Sequence, residues 1–239
     1  NSAHIPVAQG IGPCSPRAPP QGKIRIIPAF SSEGSKAEIG AMARAVAAGL
    51  KEAMPFGLEI EVSPEFTIMK VMDSVGGVYS TERSQYVLPY TYRGRKSFVT
   101  TLVVTDADLT GQTESGTLKN YLFGRTYPSG NLSINSIYRL KSTKTQLTLS
   151  RLLKNIIHET GHLFGLGTDR ARLSNGSHCA EANCVMHFSP NAEQLDQTST
   201  AFCPVCEAEI RRINKYIGAH SLDNGGSPEK GAVVSTMGS

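Results

Sequence analysis

His158, Glu159 and His162 spell H-E-x-x-H. Two histidines four positions apart lie one turn apart on the same face of a helix, so both imidazoles can reach one ion. Neutral imidazole suits Zn2+. Glu159 projects beside such an ion rather than onto it, where it can take a proton from a coordinated water. The chemistry implied is hydrolysis. The ion acidifies water and polarises a carbonyl, and the carboxylate serves as general base and then returns the proton to the leaving amine. A chance match on an ordinary helix is the competing reading. Against it, residues 152–166 are amphipathic and Gly165 follows His162 by three, extending the motif to H-E-x-x-H-x-x-G.

A hydrolytic zinc site takes three protein ligands and keeps one position open. The extended signature puts its third ligand three residues after the glycine, and that position is Thr168, a poor zinc ligand. Asp169 follows directly, and His178 lies ten positions beyond Thr168. The expectation is that residues 171–177 form an inserted loop and that His178 closes the site, with Asp169 as the other candidate.

Four of the five cysteines fall into two close pairs, Cys179/Cys184 and Cys203/Cys206, with Cys14 alone near the start. Two thiolate hooks read as a structural zinc site with no open position. Two disulfides or four unligated thiols are the alternatives. Asp106 and Asp108 follow a candidate buried strand and read as turn and capping residues.

The elements that must position these groups follow from periodicity. The chain has 239 residues, enough for a sizeable core. Residues 1–22 are rich in Pro and Gly and read as a flexible leader. Residues 23–30 alternate and are β-branched, a strand expected to end near Pro28. Ser35 is placed to cap a helix over 36–54, whose apolar residues Ile39, Met42, Val46, Ala47 and Leu50 recur at helical spacing. Strands are expected at 58–62, 97–105 and 132–140, with a break at Gly76-Gly77 and a loop over 106–124. A long helix spans 145–166, a last helix 204–217, and a disordered tail 218–239. The order suggests an α/β fold: a mixed twisted sheet with an active-site helix (23–166) and a zinc-stapled C-terminal subdomain (167–217).

At this point the sequence resembles the archaemetzincin family. The resemblance rests on H-E-x-x-H-x-x-G, then His178-Cys179-x4-Cys184-x-Met186, then Cys203-x2-Cys206. Segments 23–30, the helix into Phe56-Gly57-Leu58, 83–86, 104–109, 121–124 and 136–140 are also similar, so it covers about 23–217. It implies a compact metzincin-like fold and two zinc ions per chain: a catalytic one on three His and a structural one on four Cys. It further implies that Met186 lies beneath the catalytic zinc. Some related metzincins carry a Tyr two residues after that Met. Here the position is Phe188, so no tyrosine switch is expected, and His187 reads as exposed or hydrogen-bonded rather than ligating.

The function expected is a zinc metallopeptidase acting on peptides or unfolded proteins. The alternative is a non-catalytic zinc-binding module whose site the insertion has degraded. In metzincins the substrate lies antiparallel to an edge strand, and 133–139 is the segment expected to supply it. A net charge of +4 with scattered Lys and Arg gives no footprint for nucleic acid. No apolar stretch suggests a membrane span. A monomer is expected. Metal-type thiols favour a reducing, cytoplasmic setting, with secretion open if a leader was removed.

Overall fold

A computed structural model describes residues 23–68, 74–75, 78–80, 100–112, 118–127, 131–167, 173–174 and 178–221. The leader, Cys14, the Gly76-Gly77 break, segment 83–86, Thr168 and Asp169 lie outside the described residues.

The central strand is β6 (Thr100–Thr105), buried on both faces and rich in β-branched residues, as expected where parallel neighbours flank a strand. On one side it pairs in parallel with β1 (Lys23–Phe30), with Ile26 opposite Leu102. On the other it pairs in parallel with β10 (Leu132–Ser136), with Ile134 opposite Val103. Beyond β1 lie β2 (Glu59–Val62) and β3 (Phe66–Thr67), both parallel to it. Beyond β10 lies β9 (Gly124–Tyr127), antiparallel to it and the edge among the described residues.

Alternation sorts the side chains. Ile24, Ile26, Leu102 and Val104 belong to the core beneath α1 (Lys36–Ala53) and α2 (Thr145–Leu163). Ile27, Ala29, Val103 and Ile134 form a second cluster on the opposite face with Tyr127 and Leu109. α1 buries Ile39, Met42, Ala43, Val46 and Leu50, the face its periodicity predicts.

Several expectations are corrected. Strand β1 runs through Pro28 to Phe30. Pro28 has no N–H to give, and it falls where the outer partner changes from β2, last paired at Ile26, to β3, first paired at Ala29. Ser35 makes no side-chain cap to α1; its hydroxyl donates back to the Ser32 carbonyl, 2.9 Å away. The expected loop 106–124 contains β7 (Leu109–Gln112) and β8 (Leu118–Leu122), paired antiparallel. With β4 (Ser74–Val75) and β5 (Val78–Ser80) they make a second sheet. Polar and glycine residues mask these strands.

The strand expected over 132–140 stops at Ser136 and gives way to a 3-10 turn at Tyr138–Leu140. Nor is it the edge, since β9 covers it. A short helix, α3 (Ala192–Gln197), capped by Asn191 onto the Gln194 N–H at 2.8 Å, was hidden in the irregular segment. The last helix, α4 (Pro204–Ser221), continues past Gly218. Among the described residues no helix is long and apolar enough to cross a membrane.

Candidate metal centres

The helix α2 carries His158, Glu159 and His162 in its last two turns. Its end is set by two glycines with positive φ, Gly165 (91°) and Gly167 (88°), conformations that side chains with a Cβ resist. The turn folds back so that the Leu166 N–H donates to the Gly161 carbonyl at 2.9 Å. The same reversal presents the Leu166 carbonyl to the His162 ring, whose Nδ1 lies 3.1 Å from it. His158 Nδ1 lies 2.8 Å from the Val185 carbonyl. Carbonyl oxygens only accept, so both Nδ1 atoms carry the proton and both Nε2 atoms are bare.

Those two bare Nε2 atoms face each other at 3.1 Å. Neither can donate to the other, and a cation between them would satisfy both. Two Zn–N bonds of about 2.05 Å at a tetrahedral angle place their nitrogens about 3.3 Å apart. Burial, and next the repulsion a protonated His162 would exert, hold His158 well below the usual imidazole range, which keeps it neutral.

His178 arrives from β12 (His178–Cys179), which pairs with β11 (Leu173–Ser174) across the segment read as an insertion. Its ring centroid is 5.1 Å from that of His158 and 5.3 Å from that of His162. The ligand-type atoms of the three histidines all lie within 4.8 Å of one another. The added residues therefore do not carry His178 away from the helix. Phe188, half exposed, packs its ring 5.1 Å from His178.

Glu159 is partly buried. Burial raises its carboxyl above the usual range, opposed by His162, by a hydrogen bond from Thr126 and by Arg125. Thr126 Oγ1 donates to Glu159 Oε2 at 2.5 Å. Below the helix, Met186 is buried against Gly161. His187 donates from Nδ1 to the Cys179 carbonyl at 3.0 Å and joins neither cluster.

The second cluster gathers Cys179, Cys184, Cys203 and Cys206, whose sulfurs also lie within 4.8 Å of one another. All four are free thiols. Cys179 and Cys203 sit 3.8 Å apart, against about 2.05 Å for a disulfide and about 3.8 Å for two sulfurs on one tetrahedral zinc. Cys184 Sγ accepts the backbone N–H groups of Cys203 at 3.2 Å and Met186 at 3.4 Å. Cys206 stands in the first turn of α4, where the helix N-terminus favours negative charge. The bond shared with Cys206, then these N–H donors, bring Cys184 down to about 5 while Cys206 is pushed up. Donor type and spacing in both clusters fit zinc.

The aspartates do other work. Asp106 accepts from the Ser31 N–H at 2.7 Å and hydroxyl at 2.6 Å, tying the ends of β6 and β1. Asp108 holds Arg139 by two bonds, 3.0 and 2.5 Å. Residues that spacing alone did not reveal are Thr126, Gly124, Asn135 and Asn155. The one signal for them was Asn155, a polar residue on the buried face of an amphipathic helix.

A mixed sheet with an antiparallel edge, backed by a helix bearing H-E-x-x-H, defines a zinc metallopeptidase. The model of peptidase family M54 matches residues 51–212. The archaemetzincin of Methanopyrus kandleri is 34% identical over 144 residues, 59% of this chain and 74% of that protein. That of Archaeoglobus fulgidus is 30% identical over 133 residues, 56% of this chain and 73% of that protein. The crystal structure of the M. kandleri protein is similar with a TM-score of 0.59 at 25% identity, covering 81% of this chain and 97% of that one. The A. fulgidus structure gives 0.58 at 26% identity, covering 78% and 99%. The chain belongs to peptidase family M54, the archaemetzincins, and peptides are its substrate class.

Proposed function

We propose that His158, His162 and His178 hold the catalytic zinc and that Glu159 is the general base and acid of peptide hydrolysis. The observation that carries this is the pair of bare Nε2 atoms 3.1 Å apart, with a third imidazole alongside. When bound, zinc supplies Lewis acidity toward a carbonyl oxygen and a water. The residues do the rest. The Leu166 and Val185 carbonyls fix the ring tautomers. Glu159, raised by burial, takes a proton from the attacking water and passes it to the leaving amine. Edge strand β9 offers main-chain groups to an extended peptide laid antiparallel to it. Unfolded chains suit such an edge better than folded ones.

Cys179, Cys184, Cys203 and Cys206 hold a second, structural zinc, making two per chain. In this reading residues 23–166 supply the helix and sheet, 167–217 supply the thiolate-stapled floor, the protein acts as a monomer, and its thiols suit the cytoplasm.

The test is a zinc count with cleavage of a mixed peptide library by wild type, Glu159→Gln and His178→Ala. Expected are two zinc equivalents, cleavage lost in Glu159→Gln with both ions kept, and one ion lost in His178→Ala. Full metal and full cleavage in His178→Ala would remove that residue from the site. Cleavage by Glu159→Gln at the wild-type rate would remove the base.

A further inference from the structure

We propose that Thr126 is a positioning residue that holds the Glu159 carboxylate in its working orientation from the strand on which the peptide docks. This rests on the reading of Glu159 as the general base.

A glutamate has three side-chain torsions, and fixing them costs conformational entropy. The helix cannot do this alone, because it sets only where the Glu159 Cβ starts. What lies over the carboxylate is β9. Its side chains alternate: Gly124 and Thr126 face α2, while Tyr127 joins the cluster on the far side of the sheet. At Gly124 the strand comes so close that an added Cβ would stand 3.1 Å from Glu159 Cγ, 2.7 Å from Asn155 Nδ2 and 2.8 Å from Asn135 Oδ1.

That approach is locked by a buried amide bridge. Asn155 Nδ2 donates to Asn135 Oδ1 at 2.9 Å and reaches the Phe123 carbonyl at 3.4 Å. Asn135 in turn donates to Ser133 Oγ at 2.9 Å. Asn155 is one helical turn before Glu159, and Gly124 is two residues before Thr126. The bridge therefore fixes helix against strand one step away from the contact that matters. The step after it is the Thr126 hydroxyl, 2.5 Å from Glu159 Oε2 and 3.1 Å from the Glu159 backbone carbonyl, so its proton goes to the nearer, charged acceptor. A branched Cβ restricts the Thr126 rotamer, so the hydroxyl is itself held.

The experiment compares zinc-loaded wild type, Thr126→Val, Thr126→Ser and Glu159→Gln on one cleaved peptide. Zinc content, melting temperature and a crystal structure are obtained for each. Thr126→Val keeps the shape and removes the donor. Its kcat should fall about 10–100-fold, the usual cost of losing an outer partner of a metal site. KM should stay within about twofold and zinc content should not change. Thr126→Ser should recover most of kcat, and crystals of Thr126→Val should show the Glu159 carboxylate rotated.

Wild-type kcat in Thr126→Val overturns the inference. So does equal impairment of the Val and Ser variants, or a fall in kcat matched by lost zinc. If Thr126→Val is silent while Glu159→Gln is inactive, only the Thr126 assignment fails. If Glu159→Gln cleaves like wild type, the underlying reading fails.

Discussion

Met186 packs its thioether against the backbone of Gly161 so closely that a methyl group there would stand 2.5 Å from Sδ. Gly161 immediately precedes His162, so this contact sets how near the loop can come to the histidine-bearing turn. Met186 is 2% exposed and has little room to retreat. Gly161→Ala gains about 1 kcal/mol of helix propensity but meets an overpacking cost of about 1–3 kcal/mol. The expected net is a loss of up to about 2 kcal/mol in urea unfolding, with a larger fall in activity because His162 rides on the displaced turn. The double variant with Met186→Ala should relieve the clash.

Cys203→Ser should remove one zinc equivalent and lower the melting temperature by on the order of 10 °C. The cluster joins the start of α4 to the segment 179–186, whose Val185 and Met186 pack into the main core. Full metal with an unchanged melting temperature would count against a structural ion.

Gly124→Ala should break the Asn155–Asn135 bridge, because its Cβ would occupy space held by both amides. Leaving a buried amide unpaired costs about 1–3 kcal/mol. Unfolding measurements should show that loss, and steady-state kinetics a lower kcat.

Arg151 grips Asp196 with two bonds of 2.8 and 2.6 Å, anchoring α3 to α2 behind the site. The Arg151 bond holds the Asp196 carboxyl below its usual range. A carboxylate depressed in the folded state adds stability that is complete above its unfolded value near 4 and fades as pH falls through the lower folded value. Asp196→Asn should therefore be less stable than wild type by about 1 kcal/mol near neutrality. The gap should close toward about pH 2 in urea titrations. A gap that stayed constant would assign the effect to packing.

The parts of the molecule readable in advance are those where a physical rule fixes spacing. A spacing of four from His158 to His162 means one helical turn, whatever the rest of the chain does. The apolar runs of β1 and β6 are buried on both faces and show it. Paired cysteines at short range announce a metal hook, and the 3.8 Å Cys179–Cys203 separation is not a disulfide distance. What stayed hidden depends on neighbours distant in sequence. Strands β7, β8 and β9 are short and polar, so nothing in their own residues separates strand from loop. Which strand is the edge follows from pairing order, and β9 rather than 133–139 holds that place among the described residues. Thr126 meets Glu159 across 33 positions, a contact no local pattern encodes.

Strand β12 is only two residues long, and it sends a ring to one cluster and a sulfur to the other. Val185, whose carbonyl orients His158, likewise follows Cys184 directly. The two clusters therefore share one short piece of chain, and whatever displaces the sulfurs also displaces the third imidazole and the carbonyl that aims the first.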